Sequence, residues 1–75
     1  MLLGQQRKLI KGQLIYRNRN VVAANVVNNT AQLNTITDGE GGFEIEVALG
    51  DEVFFSSVQY LIRTEKITPE ILKKN

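Results

Sequence analysis

The chain has no cysteine, no histidine and a single proline in its 75 residues. Without cysteine there is no disulfide to staple a small fold and no thiolate to hold a metal; without histidine the commonest metal ligand and general base are both missing. Most enzyme classes are thereby excluded. The missing disulfides leave no record of a compartment, since a protein that makes none suits either redox environment. Charge of one sign is scarce: nine Lys and Arg stand against eight Asp and Glu, a formal net charge of +1. No aromatic-interleaved basic stripe is present, so nucleic acid is not an expected partner. Long apolar runs are absent too. Met1-Leu2-Leu3 is too short for the apolar region of a signal peptide, and nothing approaches the ~20 residues of a membrane helix, so this chain is not expected to insert into a membrane.

What is present is alternation and turn chemistry. From Thr35 to Val47 the chain runs through β-branched residues into Asp38-Gly39-Glu40-Gly41-Gly42, then alternates strictly, with Phe43, Ile45 and Val47 on one face and Glu44 and Glu46 on the other. That is two strands joined by a turn in which Asp38 supplies an acceptor and the glycines supply positive φ at low cost. Around this centre the sequence predicts strands over Arg7–Tyr16, Val21–Asn28, Leu33–Thr37, Phe43–Ala48, Val53–Val58 and Gln59–Ile67, the last a charged edge strand. Gly12, on the inner face of the first strand, marks a bulge or a close approach of neighbouring backbone. Arg17–Asn20 and Asn28–Gln32 read as polar connections, and Ala24, Val26 and Asn28 share a face. Thr68-Pro69-Glu70 carries an N-cap, a first-turn proline and a first-turn acid, so one short helical turn follows, with Ile71 and Leu72 packing on something.

Six short strands with turns between them and no long helix predict an all-β fold, an antiparallel two-layer β-sandwich over residues 1–75 with a C-terminal helical turn. Its expected core is Ile10, Leu14, Val26, Phe43, Ile45, Val47, Val53, Phe55 and Tyr60. At this length only a little over ~60% of the unfolded surface is buried, so stability is marginal.

No catalytic, cofactor-binding or metal-ligating residue is assigned. Asp38 and Glu40 offer two carboxylates where calcium wants about six to eight oxygens, so Asp38 is expected to accept hydrogen bonds from turn amides instead. Glu44 and Glu46, about 7 Å apart on one strand face, are not the opposed acid and base of a glycosidase. Ser56 and Ser57 have no histidine to activate them. Asn28-Asn29-Thr30 spells a glycosylation sequon and is read as an asparagine-rich turn.

The order Ile10-x-Gly12-x-Leu14, Ala24-x-Val26, Thr35-x-Thr37-Asp38-x-x-Gly41-x-Phe43-x-Ile45 and Gly50-Asp51-x-Val53-x-Phe55-Ser56-x-Val58-x-Tyr60 resembles the carboxypeptidase regulatory-like domains of Bacteroidetes-type bacteria. The resemblance covers about Leu9 to Ile67. It departs at Gln59, where the family usually has glycine. It implies a transthyretin-like β-sandwich serving as a non-catalytic accessory module of a secreted or cell-envelope protein, in the periplasm or at the outer membrane. Such a module mediates protein contacts or spaces another domain; the alternatives are a glycan- or peptide-binding module, or the N-terminal extension of a TonB-dependent outer-membrane transporter. The family also tends to close with a strand beyond the short helix, so either the domain is part of a longer protein or that strand comes from elsewhere. The sheet it would join is expected to have an open edge. A symmetric dimer is the favoured occupant, with a partner segment or the Thr68–Asn75 helix as competitors.

Overall fold

A computed structural model describes residues 7–58 and 63–74. In chain order the elements are β1 (Lys8–Gln13), β2 (Ile15–Tyr16), β3 (Arg19–Asn20), β4 (Asn25–Asn28), β5 (Leu33–Ile36), β6 (Gly42–Val47), β7 (Glu52–Ser56), β8 (Arg63–Lys66) and α1 (Pro69–Lys74). The strands form three antiparallel sheets: β1 with β6, β2 with β3, and a four-stranded sheet in the order β5-β4-β7-β8. The fold is therefore all-β, with one short helix at its C-terminal end.

The core lies between the β1–β6 pair and the four-stranded sheet. Ile10, Ile45 and Val47 come from the pair, Val26 and Val53 from the sheet, and Ile67 from the segment leading to α1. All six are buried. Phe43, Phe55, Ile71 and Leu72 pack against this cluster while keeping part of their surface exposed. Of the expected core, Leu14, Phe43 and Phe55 are thus only half-buried, and Tyr60 lies outside the described residues.

One predicted strand is divided and another shortened, for backbone reasons. The first breaks at Leu14, whose N–H reaches Gly41 O (2.8 Å) while its own carbonyl turns to accept from Val21 N (2.9 Å). The chain then folds into the β2–β3 hairpin, where Arg17 and Asn18 have φ of 53° and 64°. Positive φ at both central residues is the signature of a type I′ turn, so the polar connection predicted over Arg17–Asn20 carries a strand of its own. The second predicted strand starts only at Asn25. Before it, Ala23 N donates to Thr37 O and Thr37 N donates to Ala24 O, two residues opposing one, with Ala23 at φ 60°. This is a β-bulge with alanine where glycine is usual. The buried Thr37 hydroxyl locks it, donating to Val21 O (2.7 Å) and accepting from Ala24 N (2.9 Å).

Gly12 carries no bulge. It sits directly opposite Phe43 in an unbroken register, and a Cβ built on it would meet the Phe43 ring at 2.6 Å. The close neighbour is therefore a ring rather than backbone. β7 ends at Ser56, and Val58, placed in that strand by its apolar character, is fully exposed. At the C-terminal end Thr68 caps α1 as its sequence implies: its hydroxyl accepts from Ile71 N (3.3 Å) and its carbonyl from Leu72 N (3.2 Å).

Candidate functional site, an open strand edge beside an apolar groove

Antiparallel pairing fixes which backbone groups of β1 face outward. The Leu14–Gly41 bond continues the β1–β6 register, so Gly12–Phe43, Ile10–Ile45 and Lys8–Val47 are the hydrogen-bonded pairs. The N–H and C=O groups of Leu9, Lys11 and Gln13 therefore point away from β6. Among the described residues no strand is hydrogen-bonded to β1 on that side.

Three contiguous cavities run along the same side, between β1 and β8. The first, about 170 Å³, is lined by Ile10, Phe43, Val53 and Phe55, and Ile71 of α1 helps line it. The next, about 260 Å³, shares Phe43 and Phe55 and reaches Leu14, Arg63 and Glu65. The last, about 180 Å³ and predominantly apolar, lies among Leu14, Ile15, Val21, Phe55 and Ser57. Phe43 and Phe55 meet edge to face in the middle, with ring centroids 5.6 Å apart and planes at 66°. The charges at the rim pair within the protein: Arg63 with Glu65 (2.6 Å) and, across the outer face, Lys11 with Glu44 (3.6 Å). Helix α1 contributes to one end only, where Lys8 Nζ donates to Leu72 O (2.9 Å).

The two carboxylates with displaced pKa values are both bound to the protein's own donors. Amides of Glu40 and Gly42 donate to Asp38 Oδ1, each at 2.8 Å, and hold its carboxyl below the ordinary value against a slight upward push from desolvation. This is the turn-amide role expected from the sequence. For Asp51, burial pushes the pKa up. The hydrogen bonds from Asn28, from Ala48 N and from Arg7, together with the Arg7 charge, outweigh that and leave it lowered. The network is compact: Asn28 Nδ2 lies 2.7 Å, Ala48 N 2.9 Å and Arg7 Nε 3.1 Å from Asp51 Oδ2. Asn28, fully buried, also donates to Glu46 O and accepts from Thr30 N and Ala31 N. A sequon asparagine in this setting is a core residue.

Two carboxylates so held are already ionised and engaged, which suits structure rather than proton transfer. Glu44 and Glu46 lie on the exposed face of β6. Among the described residues no group of three or more Asp, Glu, His or Cys is placed to hold a metal ion. Nor is any helix among them long and apolar enough to cross a membrane. No family model, no curated protein and no solved structure matches this chain.

Proposed function

We propose that this chain is a non-catalytic β-sandwich module of the transthyretin-like, carboxypeptidase regulatory-like kind, which works by holding an extended protein segment against the open edge of β1. The observation that carries this reading is the juxtaposition of that edge with a groove in which Phe43 and Phe55 remain half-buried. A strand added there would pair with the outward N–H and C=O groups of Leu9 and Gln13 and drop alternate side chains onto the two rings, the usual logic of recognition by strand addition. The paired rim charges favour a segment whose inward residues are uncharged. A peptide is favoured over a glycan because rings that meet edge to face give no flat platform for a sugar. Placement in a secreted or cell-envelope protein rests on the motif resemblance alone.

The test is an NMR titration of the nitrogen-15-labelled protein with synthetic peptides that alternate valine with threonine, isoleucine with serine, or leucine with asparagine. Amide shifts centred on Leu9, Gln13 and Phe55 are expected, and Leu9→Pro, which removes an outward N–H while leaving the β1–β6 bonds in place, should weaken them. Shifts confined to other surfaces, or none with any peptide, would overturn the reading.

A further inference from the structure

The four-stranded sheet has two edges, and they are built differently. β8 reads Arg63-Thr64-Glu65-Lys66, three charges in four residues, the ordinary defence of an edge against another sheet. β5 reads Leu33-Asn34-Thr35-Ile36, with no charge and no proline, and Ile36 is 60% exposed. By composition it resembles an interior strand such as β4, Asn25-Val26-Val27-Asn28. Among the described residues no strand is hydrogen-bonded to its outer side, although β6 runs close by, Asp38 N just past the end of the strand donating to Gly42 O (2.9 Å).

The register also says what its outer side offers. Thr37 N donates to Ala24 O, so Val26–Thr35 and Asn28–Leu33 are the hydrogen-bonded pairs between β4 and β5. The N–H and C=O of Asn34 and of Ile36 therefore face outward. We propose that this edge pairs with the β5 edge of a second copy of the chain, antiparallel across a two-fold axis centred on Thr35.

Only an antiparallel arrangement lets two identical edges satisfy one another, and only a register matching even-numbered residues to even keeps the faces of the joined sheet continuous. Centred on Thr35, Asn34 meets Ile36 of the other copy twice, giving four reciprocal backbone hydrogen bonds from the two outward-facing residues. Thr35 then stands opposite Thr35, a favourable cross-strand pair, and the exposed Ile36 side chains become diagonal neighbours on the outer face. Charge matches as well. Asp38 is the nearest ionised group along the strand, and in this register the two copies of it stand six residues apart, roughly 20 Å at strand spacing. That exceeds the ~8–10 Å screening length at ordinary salt, so the two copies of Asp38 do not repel one another appreciably. The proposal is independent of the β1 edge, which lies on the other sheet, and the two are separable by experiment.

Sedimentation equilibrium of the whole chain from low micromolar to submillimolar concentration should show a monomer–dimer equilibrium. Asn34→Pro removes one outward N–H per copy and no bond to β4, so it should weaken the dimer by about thirtyfold, the loss of two backbone hydrogen bonds, while the circular dichroism spectrum is kept. Because the chain has no cysteine, Thr35→Cys introduces a single thiol. Opposed residues at a non-hydrogen-bonded site lie at about the Cα separation a disulfide spans, so mild oxidation should give a cross-linked dimer, and Thr64→Cys on β8 should not. A monomer throughout, or a dimer that survives Asn34→Pro and dissolves on Leu9→Pro, would overturn the proposal. Equal cross-linking through Thr35→Cys and Thr64→Cys would do the same.

Discussion

Asp51→Ala is expected to leave a chain that no longer unfolds cooperatively. Asp51 is 2% exposed, and its carboxylate joins three segments distant in sequence: Arg7 before β1, Asn28 at the end of β4, and Ala48 after β6. Alanine would leave one N–H of the Asn28 amide and the Ala48 N–H in the interior without their acceptor, the other Asn28 N–H keeping Glu46 O. Removing one partner of a buried charged network costs about 3–5 kcal/mol. A domain of this length has only about 4–11 kcal/mol in total, at the usual stability per residue. Urea unfolding followed by circular dichroism measures the effect, and a midpoint within error of wild type would show that the network contributes little.

The same carboxylate sets a pH dependence. Its pKa is lowered in the fold, so the folded state holds the proton less tightly than the unfolded chain does. The stability it contributes is complete above the ordinary carboxylate value of about 3.9 and is lost as pH falls through the lower, folded value. Asp38 is displaced in the same direction and adds to that acid limb. The urea midpoint of the wild type should therefore be flat near neutrality and drop below about pH 4. Asp51→Asn, already weakened at neutral pH, should lose less of its midpoint over the same acid range. An equal acid loss in wild type and Asp51→Asn would remove Asp51 from the explanation.

The second large effect is expected at Phe43. Its ring covers Gly12 across the β1–β6 pair and meets Phe55 edge to face. Phe43→Ala removes both contacts, and large-to-small changes of this kind cost about 3–5 kcal/mol, with the half-buried position pointing to the lower end. Gly12→Ala tests the same contact from the other side. Its Cβ would lie 2.6 Å from the ring, so the ring must move, a strain worth about 1–3 kcal/mol. In the double variant the obstacle is gone, and the two costs should fall well short of adding. Additive costs would mean that Gly12 is required for some reason other than the ring.

Much of this architecture is legible in the sequence because it is written at period two. The alternation of Phe43, Ile45 and Val47 with Glu44 and Glu46 placed β6 and its inner face, and the grouping of Asn28 with Ala24 and Val26 placed that asparagine inward. Asp38 and the Thr68-Pro69 cap were readable because their partners lie within four residues. The identity of Asn28's partner was not, since Asp51 is 23 residues away and looks locally like any turn aspartate. Nor was the bulge at Ala23, because alanine gives no warning of positive φ. The groove was readable only in its walls. Phe43 and Phe55 were placed in the core by alternation, but that they line an open side depends on which strands stand beside β1 and β8, a matter of long-range pairing.

That long-range pairing bears on the order in which the protein assembles. β4 joins β5, and β7 joins β8, between residues no more than 14 apart, whereas β1 joins β6 between residues 29 to 39 apart. Closing the longer loop comes at a greater entropic cost, and its contacts reward that cost only once they are made. The local hairpins are expected in the folding nucleus and β1 is expected to dock after the rate-limiting step. Ile10→Val should therefore speed unfolding and leave the folding rate nearly unchanged, while Val53→Ala slows folding; equal effects of both on the folding rate would reject this order. A strand that arrives last is also the first to leave, so a segment bound along β1 would hold the domain closed as a kinetic clamp, slowing its unfolding far more than it speeds its folding.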